Sequence, residues 1–384
     1  MPKVTVFTTV YNIAEYLPRF FECMKRQSFT DYKHLIIDDG SDDESYEICK
    51  RQAEKDGRVE VVHIDHLGIA SARNLILSLL DTPFTASADG DDIYEDDYLL
   101  HLVEAQEKYD ADLVISRVAY RNEAYKKILE DPEMGERVIE KRDFPEMLPR
   151  LLEESRLNFL YGKLYRTEFL QDIRVEDDVK LGSDTMINCQ YLSKIQRIAL
   201  IDNMDANYIK YTSRSVTSYN GRDYYRRMFR IQEFLMSSFL ASGYLNSEMQ
   251  RVIDKRIFQS LRWSLGKLEQ NRFSLIEAIE VIGEMTKDPL YISAYERQKQ
   301  RGDLNPYGFQ ILSSDEVLPY YIEKQVSQLE KRAEKAEKEL DRVNGQKKDL
   351  EEAIYALEHS VSFRTGRVLT YPGRKIRDLL KRKV

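Results

Sequence analysis

The sequence predicts an α/β fold in which a mostly parallel sheet has helices on both faces, followed by a helical region and a long C-terminal helix. Three observations support this prediction. Strand and helix patterns alternate over the first 90 residues. Apolar residues then recur at helical spacing between residues 222 and 300. A heptad pattern begins close to residue 322.

The alternation at the start of the chain can be followed element by element. Short runs of β-branched and apolar residues predict strands over 3–10, 34–37, 59–64 and 84–87. Apolar residues three or four apart predict helices from Ile13 onward, over 41–55 and over 69–80. Strands joined by helices lie parallel, and ligands bind beyond their carboxyl ends.

Length and composition indicate a folded protein of two or three domains, because 384 residues with 42% hydrophobic side chains can bury a sizeable core. No apolar run reaches membrane-spanning length, and the first residues form a strand pattern rather than a signal peptide, so we expect a cytoplasmic location. The odd number of cysteines (Cys23, Cys49 and Cys189) lacks metal-ligand spacing and favours core packing over a catalytic thiol.

The stretch FTASADGDD is the most informative part of the sequence, because three carboxylates follow an apolar strand directly. Asp89, Asp91 and Asp92 place like charges on one loop, which a hard cation such as Mg²⁺ or Mn²⁺ would relieve. Magnesium usually keeps substrate phosphates among its ligands, so a phosphate-bearing ligand is expected. The alternative is a solvated acidic turn.

The turns after the first two strands show how a nucleotide would be held. The first turn, TTVYNIAEY, contains no glycine, which excludes both the dinucleotide-binding fingerprint and the P-loop. The second strand ends in IIDDGSDD, where Asp38 and Asp39 lie at the carboxyl end. A carboxylate in that position can accept hydrogen bonds from a base or a ribose, while the loop metal neutralises phosphate charge.

Several motifs together resemble a known family. VTVFTTVYN, IIDDGSDD, GIASARN and ADGDD, in this order and spacing, resemble the start of the family 2 inverting glycosyltransferases with the GT-A fold. Downstream, YGKLYRTEFL resembles the segment before the acceptor site, and LGSDTMINCQYL resembles the motif that carries the general base. The resemblance covers about residues 1–220 and implies a GT-A domain.

The resemblance also implies roles for individual residues. Thr9, Tyr11 and Asp39 would hold the nucleoside, with Asp39 facing the uracil; Asp89 would touch the ribose or diphosphate; Asp91 would bind Mn²⁺ or Mg²⁺; and Asp184 would be the general base. Arg73 would lie near the nucleotide, although an ion pair with a neighbouring aspartate explains it equally well.

Two departures from the family pattern concern the acceptor and the metal. Ser183 replaces the usual glutamate before the base, which leaves the positioning of the acceptor open. YIKYTSRSVT, residues 208–217, offers no histidine as a further metal ligand, so metal affinity without nucleotide is expected to be modest.

The helical region also allows two interpretations. Tyr224, Tyr225, Arg226 and Arg227 could cradle an acceptor sugar or a lipid phosphate, or they could be the packed aromatics and solvated arginines of an ordinary helix. Ordinary helix packing is the more frequent case.

The end of the chain combines heptads with a basic tail. Val326, Ala333, Leu340, Lys347, Ile354 and Val361 occupy position a, and Leu329, Ala336, Val343, Leu350 and Leu357 occupy position d. The pattern predicts a weak coiled coil and a homodimer or small homo-oligomer, with a single helix folded back on its own body as the alternative. Residues 361–384 hold eight Lys/Arg and one Asp among apolar residues, which predicts attachment to an anionic membrane rather than to nucleic acid.

The predicted domains are therefore 1–220 (GT-A nucleotide-sugar transferase domain), 221–301 (helical domain), 302–321 (linker), 322–361 (coiled coil) and 362–384 (basic amphipathic tail). The expected activity is metal-assisted, inverting transfer of a sugar from a UDP-sugar to a lipid-linked or polymeric glycan, at the inner face of the cell membrane. Two alternatives are a catalytically weak GT-A domain that serves as a coiled-coil scaffold and a nucleotidyltransferase. The latter would need a glycine-rich basic first loop, which TTVYN is not.

Overall fold

The structure is a computed structural model that describes residues 2–211, 222–270, 273–302 and 311–359. The chain forms two compact units, Met1–Asp315 and Glu316–Val384. Over the described ranges, no helix combines the length and the apolar character that crossing a bilayer requires. The predicted basic tail, 362–384, lies outside the described residues.

The first unit contains strands and helices in alternation. Its strands are β1 (Val4–Val10), β2 (Tyr32–Asp39), β3 (Val59–Ile64), β4 (Phe84–Ser87), β5 (Ile93–Tyr94), β6 (Leu113–Ile115), β7 (Val118–Asn122), β8 (Lys127–Glu130), β9 (Arg137–Glu140), β10 (Lys163–Arg166), β11 (Arg197–Leu200) and β12 (Ala206–Lys210). Its helices are α1 (Leu17–Lys25), α2 (Ser45–Lys55), α3 (Ile69–Leu79), α4 (Tyr98–Tyr109), α5 (Phe144–Glu153), α6 (Ser183–Lys194), α7 (Tyr224–Ala241), α8 (Ser247–Gln270), α9 (Leu275–Thr286) and α10 (Pro289–Gln300). The last helix, α11 (Ser314–His359), begins at the end of this unit.

The predicted α/β fold class is confirmed. In the described part of the chain, an eight-stranded sheet has the order β3-β2-β1-β4-β10-β6-β11-β9. Strands β3, β2, β1 and β4 are parallel, whereas β10 runs antiparallel to both β4 and β6. Strand β1 is almost entirely buried because it lies inside the sheet between β2 and β4. A second sheet has the strand order β5-β12-β7-β8. Its strand β5 directly follows residues 88–92, called the acidic loop below, in the sequence.

Helix α2 begins four residues later than the sequence predicts, and the reason is local hydrogen bonding. The hydroxyl of Ser41 donates to Asp38 at 2.6 Å, and the backbone N–H of Asp42 donates to the amide oxygen of Asn12 at 2.8 Å. These side chains hold residues 41–44 in a turn that ties the end of β2 to the segment after β1, so the helix starts only at Ser45.

Two glycines allow the loops at the carboxyl edge to approach each other. Gly40 has a φ of +68°, and a Cβ there would lie 2.7 Å from the backbone nitrogen of His66. A Cβ on Gly90 would lie 2.8 Å from Cδ1 of Ile13. A side chain at position 40 would push the loop after β2 away from the backbone of His66, whereas one at position 90 would have to displace the terminal methyl group of Ile13.

The cluster at residues 224–227 is engaged in packing. Tyr224 and Tyr225 are buried on α7, and the hydroxyl of Tyr225 donates to Glu284 on α9 at 2.8 Å. Arg226 donates to the same carboxylate at 2.9 Å, and Arg227 donates to Asp223 at 3.0 Å. These contacts support the interpretation of this cluster as an ordinary helix–helix contact.

Helix α11 covers the described part of the predicted coiled coil. It begins at Ser314, so residues 314–321 of the stretch predicted as a linker are helical. The predicted boundaries between the domains, including the one after residue 220, stay predictions.

Candidate functional site

The acidic loop leaves the carboxyl end of β4 and is tied to its neighbours through its backbone. The hydroxyl of Thr8 donates to the carbonyl oxygen of Ala88 at 2.6 Å. One residue later, the backbone N–H of Asp89 donates to the hydroxyl of Tyr94 at 2.7 Å. Because these bonds use backbone atoms at residues 88 and 89, the carboxylate of Asp89 is left available for a ligand.

Negative charge is costly at this loop. Burial raises the pKa of Asp89 to about 7, the neighbouring charges of Asp91 and Asp184 add to the rise, and Arg73 acts in the opposite direction. Burial also raises the pKa of Asp91, partly offset by a hydrogen bond with its own backbone and by Arg19. The loop therefore gains most from a ligand that brings positive charge.

Asp92 has a different environment from Asp91, although the two are adjacent. It is buried, and its carboxylate accepts a hydrogen bond from the backbone N–H of Ile209 at 2.8 Å. This bond attaches the acidic loop to β12, so Asp92 holds the loop in place. Asp91 has no ion-pair partner among the described residues, and its side chain is only partly buried.

Asp184 lies in the first turn of α6 and is ion-paired with Arg73 of α3. Arg73 also donates a short hydrogen bond to the hydroxyl of Ser183, and both side chains are buried. Gly182 precedes the helix with a φ of +88°, and any Cβ there would clash with Ile231 on α7. The start of α6 is therefore fixed from two sides, by α3 and by α7.

The guanidinium of Arg73 is paired with an aspartate, Asp184, which is the second of the two interpretations given for this residue in the sequence analysis. It also influences the pKa of Asp89, so its charge acts on the acidic loop as well. Nε of Arg73 has no hydrogen-bond partner among the described residues. The charge of one buried cation therefore acts on both the predicted base, through an ion pair, and the predicted ligand-binding loop, through its effect on the pKa of Asp89.

Asp39 ends β2 and binds the loop that precedes α3. Its carboxylate accepts hydrogen bonds from the backbone N–H groups of Leu67, at 2.8 Å, and Gly68, at 3.0 Å. Nδ1 of His66 lies 3.2 Å from the same carboxylate. The imidazole of His66 stacks on the ring of Tyr11 with the centroids 4.1 Å apart. The structure thus brings Tyr11 and Asp39 together around His66.

Thr9 lies at the carboxyl end of β1, opposite Ile37 of β2, and is partly buried. Within the described ranges, its hydroxyl makes no hydrogen bond. Thr9 therefore lies at the carboxyl edge of the sheet, as predicted, and its role in binding a nucleoside stays a prediction.

Three residues that sequence reasoning missed contact the predicted site. Arg19 and the hydroxyl of Tyr211 both donate to the backbone carbonyl of Asp91, at 3.1 and 2.8 Å. Arg19 also donates to Tyr211 at 2.6 Å, which links α1 to the end of β12. His66 is the third. No local motif distinguishes these residues, because each acts on a partner distant in sequence.

The side chains of the acidic loop fit a divalent cation only in part. In the ranges that the structure describes, no three or more Asp, Glu, His or Cys side chains converge as a metal centre would require. Magnesium in nucleotide sites is commonly held by one or two carboxylates and substrate phosphates. The carboxylates of Asp91 and Asp89 match that arrangement, and they do not form a closed cage.

The first part of the chain is similar to known proteins. The sequence model of the glycosyl transferase family 2 matches residues 5–174. An uncharacterized glycosyltransferase of Bacillus subtilis (strain 168), EpsJ, is 24% identical over 205 residues, which cover 53% of this chain and 59% of that protein. Glycosyltransferase GlyA of Streptococcus pneumoniae serotype 4 is 27% identical over 199 residues, which cover 48% of this chain and 27% of that protein. These alignments therefore span only part of the relatives' own length.

A solved structure resembles a larger part of the chain. The structure of S. aureus TarS residues 1–349 in complex with UDP-GlcNAc superimposes with a TM-score of 0.57 at 16% sequence identity. The match covers 81% of this chain and 95% of that one. At this identity the likeness establishes a shared fold.

Proposed function

Because residues 5–174 match the sequence model of glycosyl transferase family 2, we propose that the chain transfers a sugar from a UDP-sugar to a hydroxyl group of a lipid-linked or polymeric glycan, with inversion at the anomeric carbon. One observation carries this proposal: the buried Arg73 is ion-paired with a carboxylate on α6, and its charge also acts on the acidic loop that follows β4. A nucleotide diphosphate and an acceptor hydroxyl are the groups that such a pair of sites can serve.

The donor lies along the carboxyl edge of the parallel strands. Tyr11, Thr9 and Asp39 bind the nucleoside, and the ring of Tyr11 is held in position by His66. Asp89 contacts the ribose or the diphosphate. The complex of S. aureus TarS with UDP-GlcNAc supports a UDP-linked donor in a fold of this kind.

Asp91, with Asp89 beside it, would hold Mn²⁺ or Mg²⁺. When bound, the ion supplies Lewis acidity that stabilises the departing diphosphate. The chain's own contribution is to fix the loop: Asp92 attaches it to β12, and Arg19 and Tyr211 hold the carbonyl of Asp91. A bound cation would offset the burial, and the like charges of Asp91 and Asp184, that raise the pKa of Asp89.

Asp184 is the general base. It accepts the proton of the acceptor hydroxyl as that oxygen attacks the anomeric carbon, and the bond to UDP breaks on the opposite face. A positioned base of this kind contributes typically ~10² to 10⁴ in rate. Arg73 and Ser183 hold the carboxylate of Asp184 at the start of α6. With one base and one displacement, the anomeric centre is inverted.

The acceptor, the location and the self-association are parts of the same proposal. The glycan acceptor belongs to capsule, exopolysaccharide or cell-wall polymer synthesis. The enzyme is cytoplasmic and peripheral, and the tail at 362–384 binds the anionic inner face of the cell membrane. It does not bind nucleic acid, and it forms a homo-oligomer through residues 322–361.

The test is donor hydrolysis with a panel of UDP-sugars in the presence of Mn²⁺, since slow hydrolysis needs no acceptor. At least one UDP-sugar is expected to release UDP, and Asp91→Asn is expected to abolish that release. Binding of UDP is measured in parallel by calorimetry with and without Mn²⁺. If no UDP-sugar of the panel released UDP, and UDP binding did not depend on metal, the scaffold alternative would be favoured.

A further inference from the structure

We infer that α11 associates with α11 of a second copy as a parallel, in-register, two-stranded coiled coil. This inference deepens the self-association proposed above, on which it rests, and its evidence comes from the long helix alone. The helix extends from Ser314 to His359, and its heptad part, beginning at Val326, is about 50 Å long at 1.5 Å per residue.

The apolar seam of α11 is exposed to solvent along its described length. Leu329, Leu340 and Leu350 are 61%, 60% and 56% exposed, and Val326 and Val343 are each 48% exposed. All five occupy the a or d positions of one heptad register. A helix that keeps its large apolar residues on one exposed stripe, 3.5 residues apart on average, buries that stripe against another helix.

The identities of the seam residues favour two strands. The first and last heptads carry a β-branched residue at a and leucine at d (Val326 with Leu329, Ile354 with Leu357), the combination typical of dimers, whereas the central heptad has the reverse order, with Leu340 at a and Val343 at d. Lys347 occupies an a position and is exposed. In a two-stranded coil its long side chain can reach solvent past the seam, whereas a larger bundle would enclose the charge.

The charges beside the seam determine the orientation. The e positions are Glu330, Glu337, Asn344 and Glu351, and the g positions are Arg332, Glu339, Gln346 and Ala353. In an antiparallel pair e faces e, so acidic residues would oppose one another. In a parallel pair each g residue faces the e residue five positions later in the second copy.

The parallel arrangement places Arg332 against Glu337 of the second copy. The other g residues then face their e partners without any like-charge pair, since Glu339 faces Asn344 and Gln346 faces Glu351. The parallel arrangement therefore gains one ion pair on each side of the seam, and the antiparallel arrangement gains only repulsion. Exposed pairs are individually weak, so they select the orientation, and the apolar seam supplies the affinity.

The orientation has a consequence for the ends of the chain. Two parallel helices bring both copies of residues 362–384 out of the coiled coil at the same end. An antiparallel pair would carry them to opposite ends, about 50 Å apart. Only the parallel arrangement presents the two basic segments side by side.

Cysteine cross-linking in the full-length protein tests the orientation. The native cysteines Cys23, Cys49 and Cys189 are all buried, so they leave the background low. Leu329→Cys and Leu350→Cys, prepared separately, are each expected to form a disulfide with the same residue of a second copy on oxidation. Lys338→Cys, at an outer f position of the same helix, is the matched control and is expected to remain monomeric on non-reducing gels.

An equimolar mixture of Leu329→Cys and Ile354→Cys tests for an antiparallel pair, in which these two positions of different copies would lie close enough to cross-link. Cross-linking only in that mixture would show an antiparallel pair and overturn the inference. A monomer, or a trimer, in sedimentation equilibrium of the unmodified protein would overturn it as well. Neither result depends on transferase activity, so failure here is separate from failure of the proposed sugar transfer.

A charge exchange gives a second, independent readout. Arg332→Glu places a glutamate against Glu337 of the second copy and is expected to weaken the dimer, by several-fold in its dissociation constant. Arg332→Glu combined with Glu337→Arg restores the opposite-charge pair and is expected to restore the parent value. Equal weakening by the single and the double variant would contradict the parallel register.

Discussion

Arg73 is ion-paired with Asp184. Arg73 belongs to α3, which precedes the acidic loop in the sequence, and Asp184 belongs to α6, which follows it. The same guanidinium donates to Ser183, at the position where the sequence resemblance predicts a glutamate. Arg73 therefore has one carboxylate partner at this point rather than two. Its charge is shared between the proposed base and Asp89, whose pKa it lowers against the stronger effect of burial.

Asp184→Asn is expected to leave UDP-sugar affinity nearly unchanged while lowering turnover by about 10² or more, because the base is lost and the nucleotide contacts are not. The variant also leaves Arg73 without its ion-pair partner, so the melting temperature is measured beside the kinetics. Asp178→Asn is the matched control. Asp178 lies in the preceding loop, pairs with Arg230 at 3.0 Å and is expected to retain the parent turnover.

Turnover of Asp184→Asn within a few-fold of the parent would contradict the assignment. Asp177 would then be the next candidate for the base. It accepts hydrogen bonds from Ser71, at 3.2 Å, and Asn74, at 3.0 Å, which places it beside α3.

Asp91→Asn is expected to abolish transfer and to weaken UDP binding chiefly when metal is present, because it removes a charged ligand from the loop. Asp92→Asn is the matched control, one residue away. It disturbs the hydrogen bond from Ile209 and is expected to lower the melting temperature while the metal dependence of UDP binding persists. Titration of UDP with and without Mn²⁺ measures both. Equal loss of metal dependence in the two variants would show that the assignment to Asp91 is wrong.

The different environments of Asp91 and Asp92 could not be predicted from the sequence. The motif ADGDD predicts a cluster of carboxylates after a strand, and the alternation of strands and helices predicts the edge at which it lies. What separates the two aspartates is the backbone N–H of Ile209, 117 residues away, and no local pattern contains that contact. Arg73 and Ser183 are likewise 110 residues apart. The fold could be predicted because periodicity is local, whereas the partner of each site residue depends on long-range packing.

His66→Ala is expected to weaken UDP binding about 2- to 10-fold, because the aromatic stack that holds Tyr11 contributes roughly 0.5–1.5 kcal/mol. The metal dependence of binding is expected to persist, since the acidic loop is unchanged. His63→Ala is the matched control: His63 contacts Asp38 at 2.7 Å, and its ring packs at an angle of 39° against Tyr46 rather than against Tyr11. Calorimetry with UDP measures both variants. If His63→Ala weakened binding as much as His66→Ala, the effect would be structural and His66 would have no specific role.

His34 is expected to make stability depend on pH. Burial lowers its pKa from 6.5 to about 3, so the unfolded chain binds a proton below about 6.5 that the folded protein does not bind until about 3. The free energy of unfolding should therefore fall as pH falls through that window, with a contribution from this residue of about 1.4 kcal/mol per pH unit. His34→Gln removes the titrating ring and should flatten the pH dependence measured by urea denaturation.

Thr8→Val separates this titration from the hydrogen bond that accompanies it. Nε2 of His34 lies 2.9 Å from the Thr8 hydroxyl, which in turn donates to Ala88. Thr8→Val is expected to lower stability by about 1–3 kcal/mol at every pH and to keep the parent slope. A slope in His34→Gln as steep as that of the parent would mean that other groups cause the acid instability.

The last prediction concerns two truncations of the C-terminal part. Deleting 322–384 is expected to give a monomer that still hydrolyses its UDP-sugar, because every proposed site residue lies within the compact unit Met1–Asp315. Deleting only 362–384 is expected to leave the dimer intact and release it from anionic vesicles. Each basic residue near an anionic surface contributes about 1 kcal/mol, and two tails on one particle bind far more tightly than one because the second attachment is intramolecular.

Sedimentation with and without vesicles, at low and raised salt, measures both effects on the same samples. The full-length protein should pellet with anionic vesicles at low salt and be released as salt screens the attraction. Arg332→Glu, which weakens the dimer and keeps both tails, serves as the control that separates avidity from tail charge: its vesicle binding should fall with its dimer fraction. A tail-less protein that still pellets, or vesicle binding by Arg332→Glu that stays at the parent level while its dimer fraction falls, would contradict the coupling of dimerisation to membrane binding.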